Sequence, residues 1–263
     1  MKSLTVATAT AAAMLLSLAG VEARAADAVA LVGDATLVHV NLATGKVAKT
    51  VDVTGAGRLL GIDVRPANKM LYGVAADGAV VTIDVKTGKA SKVSQLDTLL
   101  PGSPKWAIVD FNPAADKLRF MGADGTNLRA DVDTGKVAKD GNLAFEQGDM
   151  HHGEKPAVTA AAYTNSFGKP EKTAMYDIDA TIGALIQQTK PNDGVLKAIG
   201  KLGIDKAEMY ALDVATTAEG VNTAWLVAGD GIYKVALDSG KAAKVGTMTG
   251  VKGMVRDIAV LAN

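Results

Sequence analysis

The chain has no cysteine, so disulfides and thiolate metal sites are excluded from the start. Aromatic residues are scarce, with four Phe, two Trp and five Tyr. Ring platforms for sugars or single-stranded nucleic acid are therefore hard to build. Basic and acidic residues balance at 28 each. The surface offers no one-signed field for nucleic acid or anionic lipid. The apolar run Val6–Leu18 is too short to span a bilayer, and no other run approaches that length. Also missing are a Gly-x-Ser-x-Gly elbow, a Walker loop and a His-Glu-x-x-His pair. Ser/His/Asp catalysis has no visible support.

What is present begins with a leader. Lys2 supplies a positive start, the apolar run follows, and Ala23-Arg24-Ala25 fits the small-x-small cleavage rule. Residues 1–25 are expected to be a signal peptide, and 26–263 a single domain in the periplasm or outside the cell. No membrane span should remain after cleavage.

Self-similarity is the strongest signal in the rest. A turn recurs at Thr44-Gly45-Lys46, Thr87-Gly88-Lys89, Thr134-Gly135-Lys136 and Ser239-Gly240-Lys241, with a degenerate copy at Asp179–Gly183. Its glycine suits the positive φ of a hairpin closing into a bulge. A second unit recurs out of phase. Leu60-Gly61-Ile62-Asp63-Val64 matches Ile108-Val109-Asp110-Phe111, Ala161-Ala162-Tyr163, Ala211-Leu212-Asp213-Val214 and Arg256-Asp257-Ile258. Asp63, Asp110, Ala162, Asp213 and Asp257 fall roughly 44–52 residues apart, the length of a four-stranded propeller blade. Val29–Val53 holds chain for only three strands, and Val255–Leu261 holds one without partners.

Joining the two ends gives an all-β, five-bladed β-propeller. Its C-terminal strand pairs with the N-terminal blade and leaves no bare sheet edge. The other blades are expected at about 58–97, 104–146, 156–204 and 207–248. A β-sandwich or an open repeat array is the competing architecture.

Four motifs carry a family resemblance: Asp110-Phe111-Asn112-Pro113, Asp116-Lys117-Leu118-Arg119, Gly125-Thr126-Asn127-Leu128-Arg129 and Asp133-Thr134-Gly135. With Ala161–Ser166, Pro191–Gly194 and Ile199–Gly203, they resemble domain-of-unknown-function family 4394 across nearly the whole mature chain. The resemblance implies a secreted bacterial propeller-like domain and implies no activity. The segment Asp149–Glu154 departs from it in looking more metal-like.

Three constellations are candidate sites. Asp63, Asp110, Asp213 and Asp257, on the innermost strand of their blades, would share one depth near the axis. They could hold a divalent cation with hard oxygen ligands, or accept amide hydrogen bonds between blades. Arg119, Asn127 and Arg129 could clamp an anion, or brace blades through Asp116 or Asp131. Asp149, His151, His152 and Glu154 could bind Zn²⁺, Cu²⁺ or Ni²⁺, or form a solvated loop.

The sequence leans away from an enzyme, towards a binding or scaffold module for a small ligand, a metal ion or an exported protein partner. One alternative is a carbohydrate-active hydrolase using axial carboxylates. The other is a metal-binding periplasmic protein that uses the His151-His152 loop.

Overall fold

The computed structural model describes residues 27–261. The expected leader lies outside the described residues. In chain order the strands are β1 (Asp27–Val32), β2 (Thr36–Asn41), β3 (Lys46–Asp52), β4 (Leu59–Arg65), β5 (Met70–Ala75), β6 (Ala79–Ile83) and β7 (Ala90–Gln95). There follow β8 (Ile108–Asn112), β9 (Lys117–Met121), β10 (Asn127–Ala130), β11 (Val137–Lys139) and the two-residue β12 (Ala144–Phe145). The rest are β13 (Val158–Tyr163), β14 (Met175–Asp179), β15 (Ala184–Lys190), β16 (Val195–Lys201), β17 (Tyr210–Thr216), β18 (Asn222–Ala228), β19 (Gly231–Val235), β20 (Ala242–Thr247) and β21 (Val255–Val260). No helix occurs among the described residues, so none there is long and apolar enough to cross a membrane.

The strands form five antiparallel blades, and the architecture is a five-bladed β-propeller. Blade one has the order β21-β1-β2-β3, with β21 lying against β1 from Ala28↔Val260 to Val32↔Val255. Blades two, three and five are the consecutive meanders β4–β7, β8–β11 and β17–β20. Blade four is β13–β16 with β12 added in parallel to β16. Residues 144–145 therefore belong to blade four, although they follow blade three in the chain. The inner strands β21, β4, β8, β13 and β17 are neighbours in that order and close a ring.

Each blade is buried on both faces near the axis and exposed at the rim, and its sequence follows this gradient. Inner and second strands such as β4 and β5 read as almost unbroken apolar runs. In the four four-stranded blades the outermost strands are mostly exposed and carry Lys46 and Lys49, Lys92, Lys139 or Lys244 on their free edges. Lysines there discourage edge-to-edge pairing with another chain. The core is five apolar clusters, one at each blade junction. The cluster joining blade five to blade one packs Trp225, Val227 and Ile232 against Val38, Val40 and Ile258.

The recurrent turn does more than reverse the chain. In Asp84–Lys89 the Asp84 carboxylate accepts from the Lys86 and Thr87 amides at 2.8 and 2.9 Å, and Gly88 has φ +75°. A Cβ on Gly88 would collide with the carbonyl oxygen of Asp52 in the preceding blade. Only glycine satisfies both demands. In blade four the equivalent turn between third and fourth strands is Pro191–Gly194, whose Gly194 abuts the carbonyls of Gly141 and Asn142. The degenerate copy at Asp179–Gly183 has the same carboxylate-to-amide chemistry but joins β14 to β15, one hairpin earlier.

Candidate functional site at the propeller axis

Period-two alternation on the inner strands puts one side chain of each motif toward the axis. Four of these are aspartates, and each carboxylate accepts a backbone amide of the next blade. Asp257 accepts from Ile62 at 2.9 Å, Asp63 from Phe111 at 2.6 Å, Asp110 from Tyr163 at 2.9 Å and Asp213 from Val260 at 2.6 Å. Asp63, Asp213 and Asp257 also accept the amide one residue ahead, from Val64, Val214 and Ile258. Inner strands of adjacent blades lack a shared ladder, so these carboxylates satisfy amides that face the axis. Blade four supplies Ala162 instead.

Three of the four converge. One carboxylate oxygen each from Asp63, Asp110 and Asp213 lies within 4.8 Å of the other two, and it is the only such three-ligand group among the described residues. The three side chains are buried, whereas Asp257 is half-buried. Burial pushes the Asp63 and Asp110 carboxyls well above the ordinary carboxylate range; the Asp213 charge pushes both the same way, and the Asp63 charge adds to the rise of Asp110. Asp213 is raised to about 6 by burial, against the pull of two amide bonds. Burial raises Asp257 well above the usual range too, with its two amides and the Arg256 charge opposing. No lysine, arginine or histidine among the described residues forms an ion pair with any of the four. Three carboxylates this close in a dry setting cannot all stay charged without a compensating proton or cation.

Arg119, on the second strand, and Asn127 and Arg129, on the third, gather farther out. Arg119 stands opposite Asp110 in the β8–β9 register, yet its fork is spent elsewhere. It donates to Tyr163 Oη, Asn127 Oδ1, Asp140 Oδ2 and Asn192 Oδ1. Asn127 donates in turn to the Gly141 and Pro191 carbonyls, and Arg129 pairs with the other side of Asp140. The network joins blade three to the Pro191–Gly194 turn of blade four. Its acid is Asp140, because Asp116 serves Arg65 and Asp131 serves Lys117.

The Asp149–Glu154 loop does not gather its four side chains at one point. Asp149 accepts the amides of His151 and Ala198, one on each oxygen. His152 Nδ1 lies 3.1 Å from the Phe145 carbonyl, which leaves His151 and Glu154 as a pair at 2.9 Å.

Sequence reasoning passed over two polar groups. Arg65 forks onto both Asp116 and Asp133 and ties blade two to blade three; its place two residues after Asp63 was the available signal. Asp177 is wholly buried on β14, where Gln188 Nε2 donates to both its oxygens while Gln188 Oε1 has no partner. Burial pushes Asp177 up to about 7. Nothing repeats around it, so no pattern marks it.

Acid–base catalysis by the axial set meets a steric obstacle. The oxygens, within 4.8 Å of one another, are no farther apart than the roughly 5–5.5 Å separation of the carboxyl groups in retaining glycosidases. However, Asp63, Asp110 and Asp213 are only 4–7% exposed. Two cavities among the described residues lie elsewhere, under the β20–β21 crossover and beside Lys117 and Arg129.

The family model described as domain of unknown function (DUF4394) matches residues 36–259. No curated protein matches the chain. A solved structure of a protein of unknown function from Bacteroides thetaiotaomicron VPI-5482 is similar at TM-score 0.53 and 15% identity, over 90% of this chain and 65% of that one. The chain thus spans just under two thirds of that protein, and the likeness extends to the fold alone. A protein of unknown function from Bacteroides caccae aligns at TM-score 0.42 and 12% identity, over 84% of this chain and 73% of that one.

Proposed function

The chain belongs to the DUF4394 family, and we propose that it is an exported, non-catalytic binding module that holds a hard divalent cation on its propeller axis. One observation carries the reading: carboxylate oxygens of Asp63, Asp110 and Asp213 fall within 4.8 Å of one another with no cationic side chain paired to them. Two oxygens on opposite sides of one Ca²⁺ stand at most about 4.6–5.2 Å apart, twice the usual bond length, so the spacing suits a single ion. The bound ion would supply the positive charge that the buried acids lack. Occupancy would lock three blades to one point and give the rim loops a fixed frame for a partner. The export half of the reading rests on the leader pattern at 1–25.

The test is calorimetric titration of the purified mature protein with Ca²⁺, Mg²⁺ and Mn²⁺ at pH 7.5, alongside Asp110→Asn. Saturable heat with at least one ion, lost in the variant, supports the axial site. Absence of heat with all three at millimolar concentration removes it. Sequencing the N-terminus of protein recovered from the periplasm or medium checks the other half, with Ala26 expected as the first residue.

A further inference from the structure

The crossover from β20 to β21 carries the chain from the rim of blade five to the axis side of blade one. A cavity of about 240 Å³ lies beneath it. Met209, Met248 and Val255 are buried in its wall, while Val251 and the 43% exposed Met254 come from the crossover itself. Other crossovers are plugged by their own side chains. Leu96, Leu100 and Ala107 fill the one between blades two and three, and Leu143 and Phe145 fill the next. Here unbranched methionines replace the branched or aromatic plug, and space remains.

Two carboxylates, Glu208 and the Asp230 of the β18–β19 turn, complete the lining. Both residues are exposed, and neither side chain forms an ion pair among the described residues. Lys252 on the crossover does not line the cavity. The volume is far too large for a bare ion and falls just below the roughly 300–1,000 Å³ of sites for drug-sized ligands. Methionine adapts its three rotatable bonds to irregular apolar shapes, and its polarisable sulfur favours contact with aromatic rings.

We propose that this cavity binds a compact organic ammonium ion. Its apolar body would lie among Met209, Met248 and Met254, and its charged head would face Glu208 and Asp230. The site shares no residue with the axial acids, so the two proposals stand or fall separately.

The test is an NMR titration of the mature protein labelled with ¹³C at the methionine methyl groups. The probes are phenethylammonium, 2-phenylethanol and 3-phenylpropionate, which share a ring and differ in charge. Phenethylammonium should shift the Met209, Met248 and Met254 signals saturably. The alcohol should bind about tenfold more weakly, near 1.4 kcal/mol, and the carboxylate more weakly still. Combining Glu208→Gln with Asp230→Asn, both exposed and safe for folding, should bring the ammonium affinity down to that of the alcohol. No saturable shift with the ammonium at millimolar concentration, or equal binding of the carboxylate, would overturn the proposal.

Discussion

The four blade junctions that carry an axial aspartate differ from the one that does not. Between blades four and five, Ala162 stands where a carboxylate would be, and the connection moves to the face where the inner strands end. There Asn222 accepts from the Asn165 amide and from Thr216 Oγ1 and donates to Asn165 Oδ1, while Ser166 N bonds Thr216 Oγ1. A neutral side-chain network does the work that a charge does at the other four. The contrast shows what an aspartate contributes and what it costs. As an acceptor it satisfies amides of two blades at once. As a charge it adds to a crowd, and leaving it out of blade four keeps a fifth carboxylate off the axis.

The largest effect should come from breaking an aspartate junction at its tightest point. Both oxygens of Asp63 accept amides, so Asp63→Asn must turn its NH₂ toward a backbone N–H. A loss of about 2 kcal/mol is expected in urea denaturation. Asp110 uses only one oxygen in this way, and Asp110→Asn should cost less than about 1 kcal/mol. Equal losses for the two would mean that amide acceptance is not what the carboxylates provide.

The next effect separates burial from crowding. Asp177 is faced by Gln188, the Arg119 charge and Asp179, and burial pushes its carboxyl up to about 7. Its folded value lies above the unfolded one of about 3.9. Its contribution is therefore complete below pH 4 and is lost as the pH climbs through 7. Stability measured without metal should fall between pH 5 and 8. Asp177→Asn can form a paired amide with Gln188 and satisfy Oε1. It should flatten part of that slope and gain about 1 kcal/mol at pH 8, with little change at pH 4.5. A variant with the wild-type slope would show that the axial set alone sets the pH response.

The smallest effect belongs to the neutral junction. Asn222→Ala removes its three side-chain hydrogen bonds at a half-buried site, where water can replace them in part. About 0.5 kcal/mol is expected, read as a lower melting temperature with unchanged pH dependence. A shift in the pH profile would tie this junction to the axial acids after all.

Repetition decided what could be read from the sequence. The Asp63 motif recurs once per blade, so its phase revealed both the blade length and the closure by Val255–Val260. The two-residue strand Ala144–Phe145 has no pattern to read and was placed with the wrong blade. The Asp179 turn was recognised by its chemistry but assigned to the wrong hairpin, because the same Asx turn serves both positions. The repeat put all four aspartates at one depth; that Asp63, Asp110 and Asp213 draw together without Asp257 was not legible, because the motif marks the four alike. The Arg119 partner was also out of reach. Asp140, Asp116 and Asp131 are equally plausible by spacing, and only the fold chooses among them.

Pairing β21 with β1 joins segments more than two hundred positions apart. A ribosome must deliver nearly the whole chain before the first blade can acquire its axial strand. Until then β1 presents a row of bare amides and carbonyls, ready to capture any extended peptide nearby. Such late, long-range pairing slows folding. A protease that removed only β21 would unclasp the ring and leave every other strand intact.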